Sequence, residues 1–102
     1  MSEPASEMWT NPDPHGRELP EVIWQSKILR DHPEMAGHRE AVLRTVATPE
    51  HVEDDPLPRR RRYYRRSLGP NRWLLVVVTY EQDPARIITA LGNRKDPKQW
   101  TP

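Results

Sequence analysis

The sequence contains no cysteine, no phenylalanine and only four glycines among its 102 residues. Without cysteine there is no disulfide, no thiolate metal ligand and no cysteine nucleophile. The longest apolar run, from Trp73 to Val78, has six residues, whereas a membrane-spanning helix needs about 20. The N-terminus also lacks the apolar stretch of a signal peptide. We therefore expect a cytoplasmic protein without a membrane partner and, from the chain length, one domain at most.

Charge is divided unevenly along the chain. Residues 1–58 contain five Lys and Arg against twelve Asp and Glu, a balance of −7, and residues 59–102 contain eleven against three, a balance of +8. Such asymmetry indicates either an anionic ligand for the basic half or neutralisation of one half by the other. RNA is our first hypothesis for the ligand, and an acidic helical layer that offsets a basic sheet is the alternative.

The composition divides the chain into an arm and a domain. Residues 1–19 hold three of the twelve prolines and few large apolar side chains, so burial cannot offset their loss of chain entropy on folding. We interpret residues 1–19 as a flexible N-terminal arm and residues 20–102 as a single α+β domain.

Helices are predicted in the first half of this domain. Residues 21–24 form a short apolar run that suits either a brief edge strand or the lead into a helix. Ser26 can cap a short helix that ends near Asp31, because His32 precedes a proline and such residues avoid the helical region. The apolar spacing over residues 33–47 predicts a second helix.

Strands are predicted in the second half. Three segments are rich in β-forming residues and are separated by turn residues: 60–66, 72–81 and 85–91. Residues 49–58 are interpreted as a turn and an acidic extended link, and residues 94–102 as a frayed tail apart from Trp100. Helices followed by an antiparallel meander indicate an α+β fold with the helical layer on one face of the sheet.

The densest feature is the arginine and tyrosine run from Arg59 to Arg66. Alternate side chains of a strand point to opposite faces, so one face receives Arg60, Arg62, Tyr64 and Arg66. Guanidinium groups pair with phosphate oxygens and aromatic rings stack on bases, so the pattern is typical of nucleic-acid binding. An edge strand whose charges prevent aggregation is the structural alternative. The basic and aromatic side chains that we expect to contact nucleic acid are Arg60, Arg61, Tyr63, Arg65, Arg72, Arg94 and Lys95.

Two further residues are candidates for chemistry. His32 stands at a helix break, where a side chain can be aimed into a cleft, and histidine is the usual general acid or base near neutral pH; a surface or capping histidine is the alternative. Thr89 lies in the middle of a predicted strand, on the face expected for Ile87 and Leu91. The histidines and aspartates show no recognised metal-ligand spacing, so we predict no metal site and no cofactor.

Five short segments occur in an order that is similar to a known family: Arg30 to Glu34, Ala47 to Glu50, Arg62 to Arg65, Leu74 to Val78 and Arg86 to Ala90. On these pieces the chain from Ile28 onward resembles the small nucleases of the barnase, EndoU, colicin and RelE-like superfamily. The resemblance is closest to their phage-associated and toxin-like members and fainter to BrnT-type toxins.

The resemblance implies one or two helices packed on an antiparallel sheet of about four strands, with RNA bound across the exposed sheet face. It also implies a metal-independent endoribonuclease of toxin or mobile-element type, in which the ribose 2′-hydroxyl attacks the adjacent phosphorus. An acidic antitoxin or immunity protein would be its partner. The catalytic residues that it suggests are His32 for proton transfer, Arg62 with Arg65 or Arg66 for charge stabilisation, and Tyr64 or Thr89 for positioning the phosphate.

The acid–base pair that such a nuclease uses is incomplete in the sequence. In the sheet half, Glu81 is the single glutamate and falls at a predicted turn. A non-catalytic nucleic-acid-binding or protein-interaction module that uses the same arginine and tyrosine strand is therefore the alternative function.

Overall fold

A helical half precedes an antiparallel sheet in the computed structural model, which describes residues 19–66, 68–82 and 84–101. The helical elements are α1 (Glu21–Ile23), a π-helical turn (Trp24–Ile28), α2 (Leu29–Asp31), a 3-10 turn (Pro33–Met35) and α3 (Arg39–Ala47). The strands are β1 (His51–Asp54), β2 (Arg60–Arg66), β3 (Trp73–Thr79) and β4 (Arg86–Asn93). The predicted α+β fold, with helices packed on a four-stranded antiparallel sheet, is confirmed.

The predicted N-terminal arm lies outside the described residues except for Leu19. That leucine is fully buried in the core between the helices and the sheet. The domain therefore includes Leu19, one residue earlier than the boundary predicted at residue 20.

The first helical stretch runs without a break from Glu21 to Asp31. It begins after Pro20, since proline is tolerated at a helix start, where its missing N–H is no loss. The N-cap predicted at Ser26 is wrong, because the Ser26 hydroxyl donates to the carbonyl of Val22 inside the helix. The end at Asp31 agrees with the prediction, since the next residue, His32, has φ −136° and ψ 72°.

The second predicted helix is divided into the 3-10 turn and α3. Gly37 lies between them with φ +83°, a left-handed conformation that side-chain-bearing residues rarely adopt. α3 ends before Thr48, as expected for a residue that precedes a proline. Its buried positions form one face toward the sheet: Val42, Leu43, Thr45 and Val46.

The sheet is a meander with the order β1-β2-β3-β4, and every neighbouring pair is antiparallel. β1 was not predicted, since its residues were interpreted as a turn and a link. It pairs with β2, with His51 opposite Tyr64 and Glu53 opposite Arg62. β3 is buried at all seven positions.

The two faces of the sheet have separate apolar clusters. On the helix-covered face, sheet residues pack against the helices; they include Tyr63, Leu74, Val76, Val78 and Ile87. The opposite face, called here the helix-free face, has a second buried cluster of Tyr64, Trp73, Leu75 and Val77. Within the described residues, no helix is long and apolar enough to cross a membrane.

A β-bulge lies between Val77 and Val78, which are opposite Thr89 and Ile87 respectively. One extra residue in a strand reverses the alternation of its side chains. Thr89 therefore lies on the same face as Leu91 but not as Ile87, contrary to the sequence-based expectation.

The C-terminal segment, residues 96–101, is not frayed as predicted. Its Pro97 is buried, and its Asp96 carboxylate accepts a hydrogen bond from Trp73 Nε1 at 2.9 Å. The Trp100 ring packs against the cluster of the helix-free face. The segment therefore folds back over the sheet.

Candidate functional site

Strand alternation in β2 places every second side chain on the helix-free face. Tyr63 belongs to the cluster under the helices and Tyr64 to the cluster on the other side, so residues two apart from Tyr64 share its face. The side chains placed there by β2 are Arg60, Arg62, Tyr64 and Arg66.

β1 adds His51 and Glu53 to the same face. They are the cross-strand partners of Tyr64 and Arg62, and directly opposite residues have Cβ atoms about 5 Å apart. Neither was among the catalytic residues suggested by the sequence, because β1 itself was not recognised. The signal that could have found them is their spacing of two, which puts both on one face of any strand.

His51 and Glu53 form a hydrogen-bonded pair. His51 Nε2 lies 2.9 Å from Glu53 Oε1, and the imidazole N–H is the donor because a carboxylate can only accept. The same oxygen accepts from the backbone N–H of Gln99 at 3.1 Å, and the Tyr64 hydroxyl lies 3.5 Å from the other oxygen. The Glu53 side chain is 4% exposed and that of His51 is 16% exposed.

The pair stabilises an ionised carboxylate in a buried position. Burial alone would raise the pKa of Glu53, but hydrogen bonds from His51 and from the Gln99 N–H lower it below its ordinary value. Burial raises the pKa of Tyr64, so its phenol keeps its proton at neutral pH. Tyr64 can therefore donate a hydrogen bond but is not a nucleophile.

Arg62 and Arg66 are the cations closest to this pair in the register of the sheet. Arg62 Nε donates to Asp55 Oδ1 at 2.7 Å, and Arg66 Nη2 donates to Glu50 Oε2 at 3.0 Å. The hydrogen bonds from Arg66 lower the pKa of Glu50. The Arg66 side chain is 44% exposed and that of Arg62 is 27% exposed, so Arg66 is the cation more open to a ligand.

Aromatic rings surround the Arg66 guanidinium. Its carbon lies 5.3 Å from the centroid of the Trp73 ring and 5.1 Å from that of Trp100. The Trp100 ring also makes an edge contact with the His51 ring, with 5.7 Å between centroids. Arg66 and His51 therefore contact the same indole, which places a cation and a titratable imidazole side by side.

His32 is not part of this group. It lies in the helical layer between Ile28 and Met35, both of which are buried in the helix-covered core. Its Nδ1 is 3.6 Å from Glu34 Oε2. The sheet therefore separates His32 from Arg62 and Arg66, whereas Thr89, opposite Val77, lies on their face.

The other predicted nucleic-acid contacts are spread over the surface. Arg61 pairs with Asp54 at 3.6 Å and Arg72 with Asp96 at 3.2 Å, while Arg65 donates to the backbone carbonyl of Thr48. Arg94 and Lys95 are exposed just after β4. Tyr63 is 5% exposed, with its hydroxyl bonded to that of Tyr80, so its ring has no open face for a base.

Local pairing accounts for part of the charge asymmetry. Three carboxylates of residues 50–55 neutralise three arginines of β2, in the pairs Glu50 with Arg66, Asp54 with Arg61, and Asp55 with Arg62. The partner of the basic strand is thus the acidic strand and loop beside it. The helical layer, which the sequence suggested for this role, supplies none of these three carboxylates.

A cavity of about 490 Å³ opens beside the β1–β2 loop. It is lined by Asp54, Asp55, Pro56, Leu57, Pro58, Arg59, Arg60, Arg61 and Tyr80. The His51–Glu53 pair is not in its lining, so this cavity and the paired site are separate features. Among the described residues, no group of three or more His, Asp or Glu side chains is arranged to hold a metal ion.

Comparison of the chain with protein-family models, with curated proteins and with solved structures gave no match.

Proposed function

We propose that the protein is a metal-independent endoribonuclease of toxin or mobile-element type that cleaves RNA on the helix-free face of the sheet. The observation that supports this proposal is the meeting of a histidine–glutamate pair with an exposed arginine on one face. His51 supplies a proton-transferring group on this face, and Glu53 orients it. RNA carries its own nucleophile, the 2′-hydroxyl, so side chains need only transfer protons and stabilise charge.

His51 is the proton-transferring group in this proposal. Its Nε2–H is bonded to Glu53, so Nδ1 is the ring nitrogen left to accept the 2′-hydroxyl proton. The 2′-oxygen then forms a bond to phosphorus while the bond from phosphorus to the 5′-oxygen breaks. That oxygen takes a proton from water as it leaves, and His51 gives the 2′-hydroxyl proton up to solvent. The products are a 2′,3′-cyclic phosphate and a free 5′-hydroxyl. Glu53 fixes the imidazole tautomer, as carboxylates do for catalytic histidines.

Arg66 supplies the positive charge. Its guanidinium can leave one Glu50 oxygen for a phosphate oxygen because the pair is partly exposed, and exposed pairs contribute little stability. A cation aimed at charge that develops in the transition state is worth roughly 10²–10³-fold in rate. Arg62 remains bonded to Asp55, and its hydrogen bond with Tyr64 orients the phenol.

RNA cleavage in the presence of chelator tests the proposal. Purified protein is incubated with total RNA in EDTA, and the initial rate is compared for wild type, His51→Ala and Arg66→Ala. Loss of general acid–base catalysis should lower the rate by roughly 10²–10⁴-fold in His51→Ala. The matched controls are His38→Ala and Arg44→Ala, a histidine and an arginine of the helical half, which should cleave like wild type.

The same assay decides between the two histidines. If His32→Ala loses activity while His51→Ala keeps it, proton transfer belongs to His32, as the resemblance suggested. If the wild type does not cleave RNA at any concentration, the ribonuclease proposal is wrong.

Binding without cleavage is the second candidate function, and the burial of Glu53 and Tyr64 favours it, since a group that is nearly inaccessible reaches a substrate only after a rearrangement. In that case each arginine removed should reduce the slope of log affinity against log salt by about 0.7 for single-stranded RNA. An acidic antitoxin or immunity protein would compete for the same basic face. A pull-down after nuclease treatment separates the protein partner from RNA.

A further inference from the structure

The C-terminal segment lies directly over the groups that the ribonuclease proposal uses. The Gln99 N–H donates to the Glu53 oxygen that also accepts from His51. The Trp100 ring contacts the His51 ring and lies 5.1 Å from the Arg66 guanidinium carbon. One segment therefore contacts the base, its carboxylate partner and the cation at the same time.

This covering is incompatible with bound substrate. For proton transfer a ribose hydroxyl has to come within about 3 Å of the imidazole nitrogen, while its phosphate contacts Arg66. The indole of Trp100 lies against both side chains. A nucleotide that contacts His51 and Arg66 together therefore has to displace this ring.

Few bonds hold the segment in place. It is attached at its start, where Asp96 accepts from Trp73 and pairs with Arg72. Beyond Asp96 the described hydrogen bonds are a turn, from the Trp100 N–H to the Pro97 carbonyl at 3.1 Å, and the bond to Glu53. A segment that is held by so few hydrogen bonds, with Pro97 and Trp100 as its packed side chains, opens locally at lower free energy than the whole domain.

We propose that residues 96–101 form a gate, closed over His51 and Glu53 in the free protein and opened when RNA binds. This inference rests on the proposed ribonuclease. RNA can favour the open form only through contacts that it makes better there. Arg94, Lys95 and Lys98 supply such contacts, because they are exposed, lie in or next to the segment and can follow the phosphates as it moves.

The expected rise in cleavage rate follows from the hydrogen bond between the Gln99 N–H and Glu53. The observed rate equals the intrinsic rate multiplied by the fraction of protein in the open form. Removing one hydrogen bond to a charged group should raise that fraction by roughly 10-fold to 100-fold while the closed form predominates. Cleavage by the variant should rise by the same factor.

A proline substitution at Gln99 is the direct test. Gln99→Pro removes the N–H that donates to Glu53, and it also disfavours the turn from Pro97 to Trp100, where Gln99 is the third residue. Both effects release the segment. Gln99→Ala is the matched control, because it truncates the same side chain and keeps the N–H.

Two measurements are made on each variant. The first is the initial rate of RNA cleavage in EDTA. The second is the rate at which diethyl pyrocarbonate modifies His51, followed by peptide mass spectrometry with His38 of the same chain as the reference. Gln99→Pro should exceed wild type in both by roughly 10-fold to 100-fold, and Gln99→Ala should equal wild type.

The outcomes separate the gate from the ribonuclease proposal. If His51 is modified at the same rate in Gln99→Pro and Gln99→Ala, the gate is wrong whatever the cleavage rates are. If modification of His51 rises in Gln99→Pro but no variant cleaves RNA, the gate is confirmed and the ribonuclease proposal is wrong. Should Gln99→Pro fail to fold by circular dichroism, Trp100→Ala replaces it, and unchanged modification of His51 in that variant overturns the gate.

Discussion

Replacing Glu53 with glutamine should destabilise the protein by about 2 kcal/mol at neutral pH. Glutamine has the same size and keeps one acceptor oxygen, but it loses the negative charge. Two donors bond to Glu53 Oε1, His51 Nε2 at 2.9 Å and the Gln99 N–H at 3.1 Å. A hydrogen bond to a charged group contributes roughly 1 kcal/mol more than a neutral one, so two such bonds lose about 2 kcal/mol. For a domain of this size the melting temperature should fall by about 10 °C.

The difference in unfolding free energy between wild type and Glu53→Gln should depend on pH in a defined direction. The pKa of Glu53 in the folded protein lies below its ordinary value of 4.5. Its ionised form therefore contributes stability that is fully present above about pH 4.5 and is lost as the pH falls through the folded pKa. The stability difference between wild type and Glu53→Gln should accordingly narrow below about pH 4.5.

Urea unfolding at a series of pH values measures both effects. The matched control is Asp54→Asn, which neutralises the next residue of the same strand, where the side chain is 87% exposed; its cost should stay within about 0.5 kcal/mol. A stability difference for Glu53→Gln that is absent at pH 7, or that stays constant down to about pH 3, would refute the reasoning about this carboxylate.

Three further predictions concern stability and are measured by urea unfolding. Gly37→Ala should cost about 1 kcal/mol because of its φ of +83°, although nothing lies within 4 Å of the added Cβ; an unchanged midpoint would contradict this. Arg59→Gly should stabilise the protein by roughly 0.5 kcal/mol, since Arg59 has φ 62°. Arg61→Gly, within β2, should destabilise it. If both variants change the unfolding free energy in the same direction, backbone strain at Arg59 is ruled out as the cause. Trp73→Ala should cost about 3–5 kcal/mol, because the ring is fully buried, and a loss under 1 kcal/mol would show that the cluster on the helix-free face adds little.

Those parts of the fold that depend on local pattern could be predicted from the sequence. The apolar run of β3 and the arginine and tyrosine run of β2 were identified as strands, and β2 was predicted with its observed limits. β1 was missed because Val52 is its one apolar residue and an acidic, proline-containing stretch follows. Its strand conformation depends on pairing with Tyr63 and Tyr64, which is a contact between distant residues that no local pattern reveals.

The candidate site, like the fold, was predictable from the sequence only where it depends on local pattern. Alternation within β2 places Arg62, Tyr64 and Arg66 on one face, and the register of the sheet agrees. Two features could not be obtained from local pattern: which neighbouring strand adds its side chains to that face, and where the C-terminal segment folds. His51 depends on the first and Trp100 on the second.

The order of the strands in the sheet has a consequence for truncated forms of the chain. Each strand pairs with the strand that follows it, so no connection crosses over the sheet. β3, however, has β4 as its second partner, and without β4 the backbone N–H and C=O groups along one edge of this apolar strand are unpaired. A chain that is truncated between residues 80 and 85 would therefore be the most aggregation-prone form of the domain.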